Sequence, residues 1–465
     1  MNIENTFEEL NIVINSSNKT LATIIFADSD FESDKIIGFS SKKGQMLLSS
    51  ESLYVSTTGI KDSDDWRELG FKITKKLEEL EIDSATIEVP ENCSEFVEGL
   101  FLGTYKFDKY KSKKKESNLK YINLITDYQN NVSSIVEKAK LKIRYQFQVR
   151  DLVNTTPEEA YSVTIEANAR KMFHNTTVNM QTYWTKDLKD LGMEGHLAVN
   201  RSSCHEACTI KLTYIPENFT DKTEHHVFVG KGLTYDSGGL SIKPASSMVS
   251  MKMDKAGAMT IWGLMGYLSK VGCKHKVTAY MCIAENMIDS VSYKPDDVLT
   301  MKNGKTVHVK NTDAEGRIVL FDNICLAQEQ NDDITTIHTL ATLTGAAVAQ
   351  FGNEAAGLVG FNDGLKSRIK EVGLDVGEIF MDAAFHKYMM DGVDDDLADL
   401  SNTGTKNMGC QKAGLFLTNA LTEENKDKFL HWDIAGPAYA DKVWGTNVFG
   451  GTGFGVRTLI AFLEI

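Results

Sequence analysis

Apolar residues along this chain switch repeatedly between a continuous pattern and a helical one. Leu21–Phe26 (LATIIF) is apolar but for Thr23 and reads as a buried strand. Trp66, Leu69, Ile73, Leu77 and Leu80 recur at three- and four-residue intervals, the spacing of one helical face, and ATIEV at 85–89 reads as the next strand. Residues 131–154 (NVSSIVEKAKLKIRYQFQVRDLVN) contain no Pro or Gly and predict one long helix with Asn131 as its N-cap. Beyond it the alternation resumes. HHVFVG at 225–230, HKVTAYMCIA at 275–284 and DITTIHTLATLTG at 333–345 read as strands, and Ala258, Ile261, Met265 and Leu268 form the buried stripe of a helix that stops near Gly272. Such alternation predicts an α/β protein with a mostly parallel sheet covered on both faces. The expected division is an N-terminal α/β domain at 1–130, a linking helix at 131–154 and a larger α/β domain at 155–465. In parallel sheets ligands bind beyond the carboxyl ends of the strands, and the charged loops after VFVG and VHVKN fall there.

Composition narrows the class of partner. Fifty Lys and Arg against 64 Asp and Glu give a net charge of −14, which argues against non-specific attraction to nucleic acid or anionic membrane. The lysine-rich stretch 106–120 (KFDKYKSKKKESNLK) reads as a solvated loop against that background. Seven cysteines, an odd number in a long chain, do not form a disulfide framework. The opening MNIENTFEELNIVINSS has neither a basic nor an apolar leader segment, and no apolar run is long enough to span a bilayer. A cytoplasmic protein without a membrane partner is expected.

Two stretches carry candidate chemistry. KGLTYDSGGLSIKPASSMVSMKMDKAG spaces Lys231, Asp236, Lys243 and Asp254 widely, with no helical or strand period joining them. NTDAEGR places Asp313 and Glu315 two apart, after the strand-like KTVHVK; at a strand end that spacing points both carboxylates one way. Asp-x-Glu alone is more often the mark of a solvated turn that caps a helix, and the lysines alone equally plain surface. Together the stretches offer four carboxylates, which cannot converge without counter-charge. Two divalent cations roughly 3.5–4 Å apart would supply it, lower the pKa of a bound water and polarise a carbonyl. Carboxylate-rich ligation suits Mn²⁺ or Mg²⁺, and Zn²⁺ as well. Lys231 would then serve as a neutral nitrogen ligand and Lys243 as a fixed charge beside a tetrahedral oxyanion. Gly238 and Gly239 would let the backbone turn tightly beside the ions.

VGKGLTYDSGGLSIKP, MKMDKAGA and NTDAEGRIVL resemble the signature blocks of the leucyl aminopeptidase (cytosol aminopeptidase) family. TLTGA at 342–346, DLADLSN at 396–402, WDIAGPA and GGTGFGVRTL also match, as do VEGLFLGTYKFDKYK and VRDLVNTTP nearer the start; the likeness is weakest over the first ninety residues. The resemblance implies a macro-like N-terminal domain and an α/β/α zinc-peptidase-like catalytic domain. It implies one metal on Lys231, Asp236, Asp254 and Glu315 and a second on Asp236, Asp313 and Glu315, with Zn or Mn, or Mg or Co at the exchangeable site. Lys243 matches the family's electrophilic lysine and Arg317 the arginine that holds bicarbonate as general base. By the same likeness a metal-bridged water attacks the first peptide bond, and the substrate's free amine coordinates a metal. Met251, Thr342, Leu343, Gly345, Ala435 and Ala438 match the wall of the side-chain pocket, whose apolar character favours Leu- or Met-like residues. The implied assembly is a homohexamer, a dimer of trimers, acting on peptides. The rival within the family is a DNA-binding regulator, supported here only by the Lys111–Lys115 run.

The chain departs from the family pattern at Lys255, where an apolar residue is usual; its side chain is expected to point to solvent. VNRSSCHEAC replaces a glycine-rich turn and CQKAGLFLTNAL a helix richer in alanine and threonine. CHEAC at 204–208 lacks a second ligand pair and reads as a loop with two reduced thiols. GGTGFG near the C-terminus has no βαβ unit after it, and the ten histidines show no spacing that suggests a ligand set.

Overall fold

A computed structural model describes residues 10–28, 36, 39–90, 93–385, 387–404 and 407–465. The first nine residues of the stretch read for a leader lie outside the described residues. The chain divides into two compact bodies, one of residues 4–147 with 443–448 and one of residues 148–442 with 449–465.

The first body holds a six-stranded sheet of β1 (Asn11–Ile14), β2 (Ala22–Ala27), β3 (Met46–Ser49), β4 (Ser52–Ser56), β5 (Ser84–Glu88) and β6 (Tyr121–Ile125), ordered β1-β6-β5-β2-β4-β3. Only β3 with β4 is antiparallel. Helices α1 (Ser63–Glu79) and α2 (Cys93–Leu102) pack with their backbones nearly touching. A Cβ on Gly99 would stand 2.0 Å from Arg67 O, so glycine sets that spacing. Residues 106–120 form neither helix nor strand, and Lys111, Lys113, Lys114 and Lys115 are exposed. Helix α3 runs Gln129–Asn154, so Asn131 is its third residue and not its cap.

The second body is built on eight strands: β7 (Val178–Trp184), β8 (Cys208–Tyr214), β9 (His225–Asp236), β10 (Lys276–Asn286), β11 (Thr336–Ala341), β12 (Ala355–Val359), β13 (Ile379–Asp382) and β14 (Phe429–Asp433). Their order is β13-β12-β14-β11-β9-β10-β8-β7. The four central strands, β14, β11, β9 and β10, run parallel. Helix α4 (Ala256–Val271) ends where Gly272 adopts φ +69°, as the sequence predicts. It is buried around its whole girth down to Leu268. Helix α5 (Glu315–Glu329) is equally buried along most of its length. Cys208 opens β8 and is buried, while Cys204 is exposed, so CHEAC is only partly a loop. Among the described residues no helix is long and apolar enough to cross a membrane.

Buried histidines give this body an acid limit. His196 Nδ1 accepts from Asn323 Nδ2 at 3.2 Å while Nε2 lies 3.0 Å from Ile283 O. His338 Nδ1 accepts from Trp432 Nε1 at 3.2 Å, with Nε2 3.0 Å from Thr336 Oγ1. One nitrogen of each ring must stay unprotonated to accept. Burial pushes His196 down to about 4 and His338 down to about 3. Unfolded histidine titrates near 6.5, so the unfolded chain binds more protons between those values and stability falls as pH falls. Each ring contributes on the order of 3 kcal/mol to that loss. The urea midpoint should drop clearly from pH 7 to pH 4.5; a flat profile would contradict the neutral-ring assignment.

Candidate active site

The central strand β9 carries two of the predicted residues within its own length. Lys231 and Asp236 were expected on loops; the strand extends through both, and Asp236 is its last residue. Lys231 is buried because its counter-charges come from elsewhere: Nζ is 2.9 Å from Asp254 Oδ2, 2.8 Å from Glu315 Oε1, and donates to Thr342 O at 3.1 Å. Gly316 permits this approach, since a Cβ there would stand 2.5 Å from Lys231 Cε.

Asp236 is fixed from below. Its Oδ1 accepts from Gly238 N at 2.9 Å and Asn286 Nδ2 at 2.8 Å, which leaves Oδ2 for Lys243 Nζ at 2.9 Å. The turn after it needs consecutive left-handed residues, Gly238 at φ +87° and Gly239 at φ +63°. A Cβ on Gly238 would meet Ser241 O at 2.6 Å. Thr312 zips that turn to the Asp313 loop, donating to Gly238 O at 2.6 Å and accepting from Ser241 N at 2.8 Å.

Asp254 lies on a short 3₁₀ turn, Met251–Lys255, and its Oδ1 accepts from Thr342 Oγ1 at 2.7 Å. Asp313 lies in the turn before α5 and pairs with Lys243. Glu315 is the first residue of α5, so the pair is a turn and a helix start and not the strand end that the spacing suggested. Donor atoms of Asp236, Asp313 and Glu315 lie within 4.8 Å of one another. Asp254 reaches this group through Lys231.

The charges do not balance. Four carboxylates, Asp236, Asp254, Asp313 and Glu315, face two ammonium groups, Lys231 and Lys243. Burial, with Glu315 and Asp254 beside it, raises Asp236 well above the usual carboxylate range. Burial pushes Asp254 up to about 6 against the pull of Lys231. Burial also raises Glu315, but Lys231 and Lys243 outweigh it and hold this carboxyl low. Burial pulls Lys231 down, and the carboxylates around it more than reverse that. Glu315 Oε2 is buried without a hydrogen-bond partner. Oxygen-rich donors, surplus negative charge and an orphaned carboxylate oxygen fit divalent cations.

Arg317, two residues beyond Glu315, is buried; Nη1 donates to Asn402 O at 3.0 Å and Nε has no partner. Of the pocket residues, Thr342 is buried and touches both Asp254 and Lys231. Leu343 is half-buried and Gly345 exposed at the start of the helix that follows β11. Ala435 is half-buried and Ala438 buried, both beyond the end of β14, and Met251 opens the 3₁₀ turn of Asp254. Asp433, the last residue of β14, joins these loops: Oδ1 accepts from Leu343 N at 3.2 Å and Ala435 N at 3.3 Å, and Oδ2 from Thr344 Oγ1 at 2.7 Å. Asp433, Thr312 and Asn402 stand in the WDIAGPA, NTDAEGR and DLADLSN blocks, where the sequence gives them no role, and Asn286 carries no sequence signal at all. Each of the four acts across strands or loops distant in sequence, so no spacing marks it.

Lys255 corrects an expectation. It does not point to solvent: its side chain is fully buried, with Nζ 3.3 Å from Thr155 O and 2.5 Å from Lys252 O. Burial, helped by the charge of Lys252, pushes its pKa down to about 7. It turns away from the carboxylates and holds two backbone carbonyls.

Carboxylates and lysines gathered at the carboxyl ends of parallel strands define a metal-dependent hydrolase of the α/β class. Family models narrow this further: the cytosol aminopeptidase family catalytic domain matches residues 147–460 and the family's N-terminal domain matches residues 58–114. A probable cytosol aminopeptidase of Wolinella succinogenes is 37% identical, covering 96% of this chain and 94% of that protein. One from Campylobacter jejuni is 37% identical over 84% of this chain and 83% of its own length. The solved structure of the bottromycin maturation enzyme BotP in complex with Mn superposes with a TM-score of 0.87 at 26% identity, covering 96% of this chain and 99% of that one. The chain belongs to the cytosol aminopeptidase family. It is a metal-dependent aminopeptidase, a hydrolase of the leucyl aminopeptidase type whose substrates are peptides.

Proposed function

We propose that this enzyme removes Leu- or Met-like residues from the free amino end of peptides, using a pair of divalent cations. Lys231, Asp236, Asp254 and Glu315 would hold one ion; Asp236, Asp313 and Glu315 would hold the other. The observation that carries this reading is the surplus of buried carboxylate around Lys231 and Lys243, with Glu315 Oε2 unpartnered. When bound, the ions supply Lewis acidity toward the substrate's amine and carbonyl and a water deprotonated at neutral pH. Zinc or manganese is favoured, with Mg or Co as alternatives at the exchangeable site; the solved complex of BotP with Mn supports manganese.

The chain's own groups do the rest. Lys243, partly exposed above Asp236 and Asp313, keeps its proton and faces the carbonyl oxygen as negative charge develops on it. Arg317, whose Nε is buried and unpartnered, would hold a bicarbonate ion, which would supply a general base at this site. Met251, Thr342, Leu343, Gly345, Ala435 and Ala438 form the wall against the departing residue's side chain, and the Asp433 hydrogen bonds hold two of their loops in register. We further propose that residues 155–465 form the catalytic domain and that the protein works in the cytoplasm as a hexamer, a dimer of trimers. Light scattering that returned the mass of a single, fully active chain would end the hexamer reading.

Leucyl-p-nitroanilide, its N-acetylated form and a phosphoester should be offered to chelator-stripped enzyme titrated with Zn²⁺, Mn²⁺, Mg²⁺ or Co²⁺. Activity should return with metal on the free-amine substrate alone, and depend on bicarbonate. Cleavage of the acetylated substrate at the same rate would refute the exopeptidase assignment, as would silence with all four ions.

A further inference from the structure

The amino end of β9 carries a second cluster with ligand chemistry. Glu224 immediately precedes β9, His226 is its second residue, and His275 immediately precedes β10. Parallel pairing starts the two strands side by side, with Lys276 opposite His225 and Lys276 N donating to Glu224 O at 2.9 Å. The three side chains therefore meet although the sequence separates them widely. His226 Nε2 is 3.5 Å from Glu224 Oε2, and His275 Nδ1 is 3.2 Å from the same oxygen. One donor atom from each residue lies within 4.8 Å of the other two. Both rings are buried, and both Nε2 atoms lack a hydrogen-bond partner. No spacing among the ten histidines marks this group, because its members meet only through the pairing of β9 with β10.

We propose that Glu224, His226 and His275 form a separate site for one Zn²⁺-class ion, bound by two imidazoles and a carboxylate with water completing the shell. Zinc–nitrogen and zinc–oxygen bonds of about 2.0–2.1 Å place tetrahedral ligand atoms roughly 3.3–3.4 Å apart, close to the two separations found here. Two imidazoles and one carboxylate suit zinc, cobalt or nickel better than calcium or magnesium. Burial pushes His226 down to about 2 and lowers His275, so both rings are in the neutral form that ligates. His226 Nδ1 lies 2.8 Å from Thr336 Oγ1, the first residue of β11. That hydroxyl oxygen has lone pairs for both the His226 Nδ1–H and the His338 Nε2–H, which turns the lone pair of His226 Nε2 toward Glu224.

The nearby cations have anionic or aromatic partners of their own. Lys274 pairs with Glu464, and Arg368 lies 3.6 Å from Glu464 and stacks on Phe462. Glu224 is half-exposed, which gives the ion a way in. His226 and Asp236 are ten positions apart along β9, so the site stands roughly 33 Å from the catalytic carboxylates. An ion here clamps the starts of β9, β10 and, through Thr336, β11.

Full-length protein stripped of metal and equilibrated with Zn²⁺ should bind one more ion per chain than Glu224→Ala, by elemental analysis after gel filtration. Glu224→Ala changes a half-exposed side chain, so the fold and leucyl-anilide hydrolysis should persist; His275→Gln should lose the same ion. Excess Zn²⁺ should raise the melting midpoint of the wild type and not that of Glu224→Ala. Equal zinc content in wild type and both variants overturns the site. Activity reports only on the catalytic carboxylates, so loss of the extra ion with activity intact separates this proposal from the aminopeptidase reading.

Discussion

Glu315→Gln should strip the enzyme of both catalytic ions and lower kcat/KM by about 10³-fold or more. Glu315 starts α5 inside the protein, with one oxygen 2.8 Å from Lys231 and the other unpartnered. In the proposed ligand sets it is shared by both ions. The amide keeps the shape and loses the charge, so Lys231 retains only Asp254 as a close anionic partner. Asp313→Asn makes the contrast. In the same ligand sets Asp313 serves one ion only, and it is partly exposed, so one catalytic ion per chain should remain, with activity reduced but not to background. Elemental analysis and leucyl-anilide kinetics on both variants decide this. Retention of both catalytic ions by Glu315→Gln, counted in the Glu224→Ala background, would remove its assigned role.

The order of these residues was readable in the sequence, and their setting was not. The wide spacing of Lys231, Asp236, Lys243 and Asp254 pointed to convergence, and the strand–helix alternation pointed to a parallel sheet that would place them. Reading Lys231 and Asp236 as loop residues failed because a lysine inside an apolar run looks like the end of a strand. Here Asp254 and Glu315 neutralise it, so β9 continues through both. Lys255 failed for a related reason: a lone lysine beside a carboxylate is expected in water, yet two backbone carbonyls from separate segments accept its hydrogens. Asp433 and the Glu224–His226–His275 group depend on which strands lie side by side. Periodicity along one strand holds no information about its neighbour.

Lys243→Ala tests the other half of the chemistry, and the expected result is a fall in kcat of about 10²–10³-fold with KM changed little. A group that meets the carbonyl oxygen only as it gains charge lowers kcat and kcat/KM together when removed. The structure supplies a rival explanation that the same variant can exclude. Lys243 pairs with Asp236 and Asp313, so it could instead organise the ligands. An organising lysine would lower metal content when lost, and added metal would restore the rate. A lysine that acts on the developing oxyanion would leave both catalytic ions bound, and no excess of metal would rescue turnover. Lys243→Arg sharpens the distinction, because it restores the charge on a longer, planar head that cannot occupy the same point above Asp236. Partial recovery of kcat in that variant, at unchanged metal content, is what a charge facing the reacting oxygen requires.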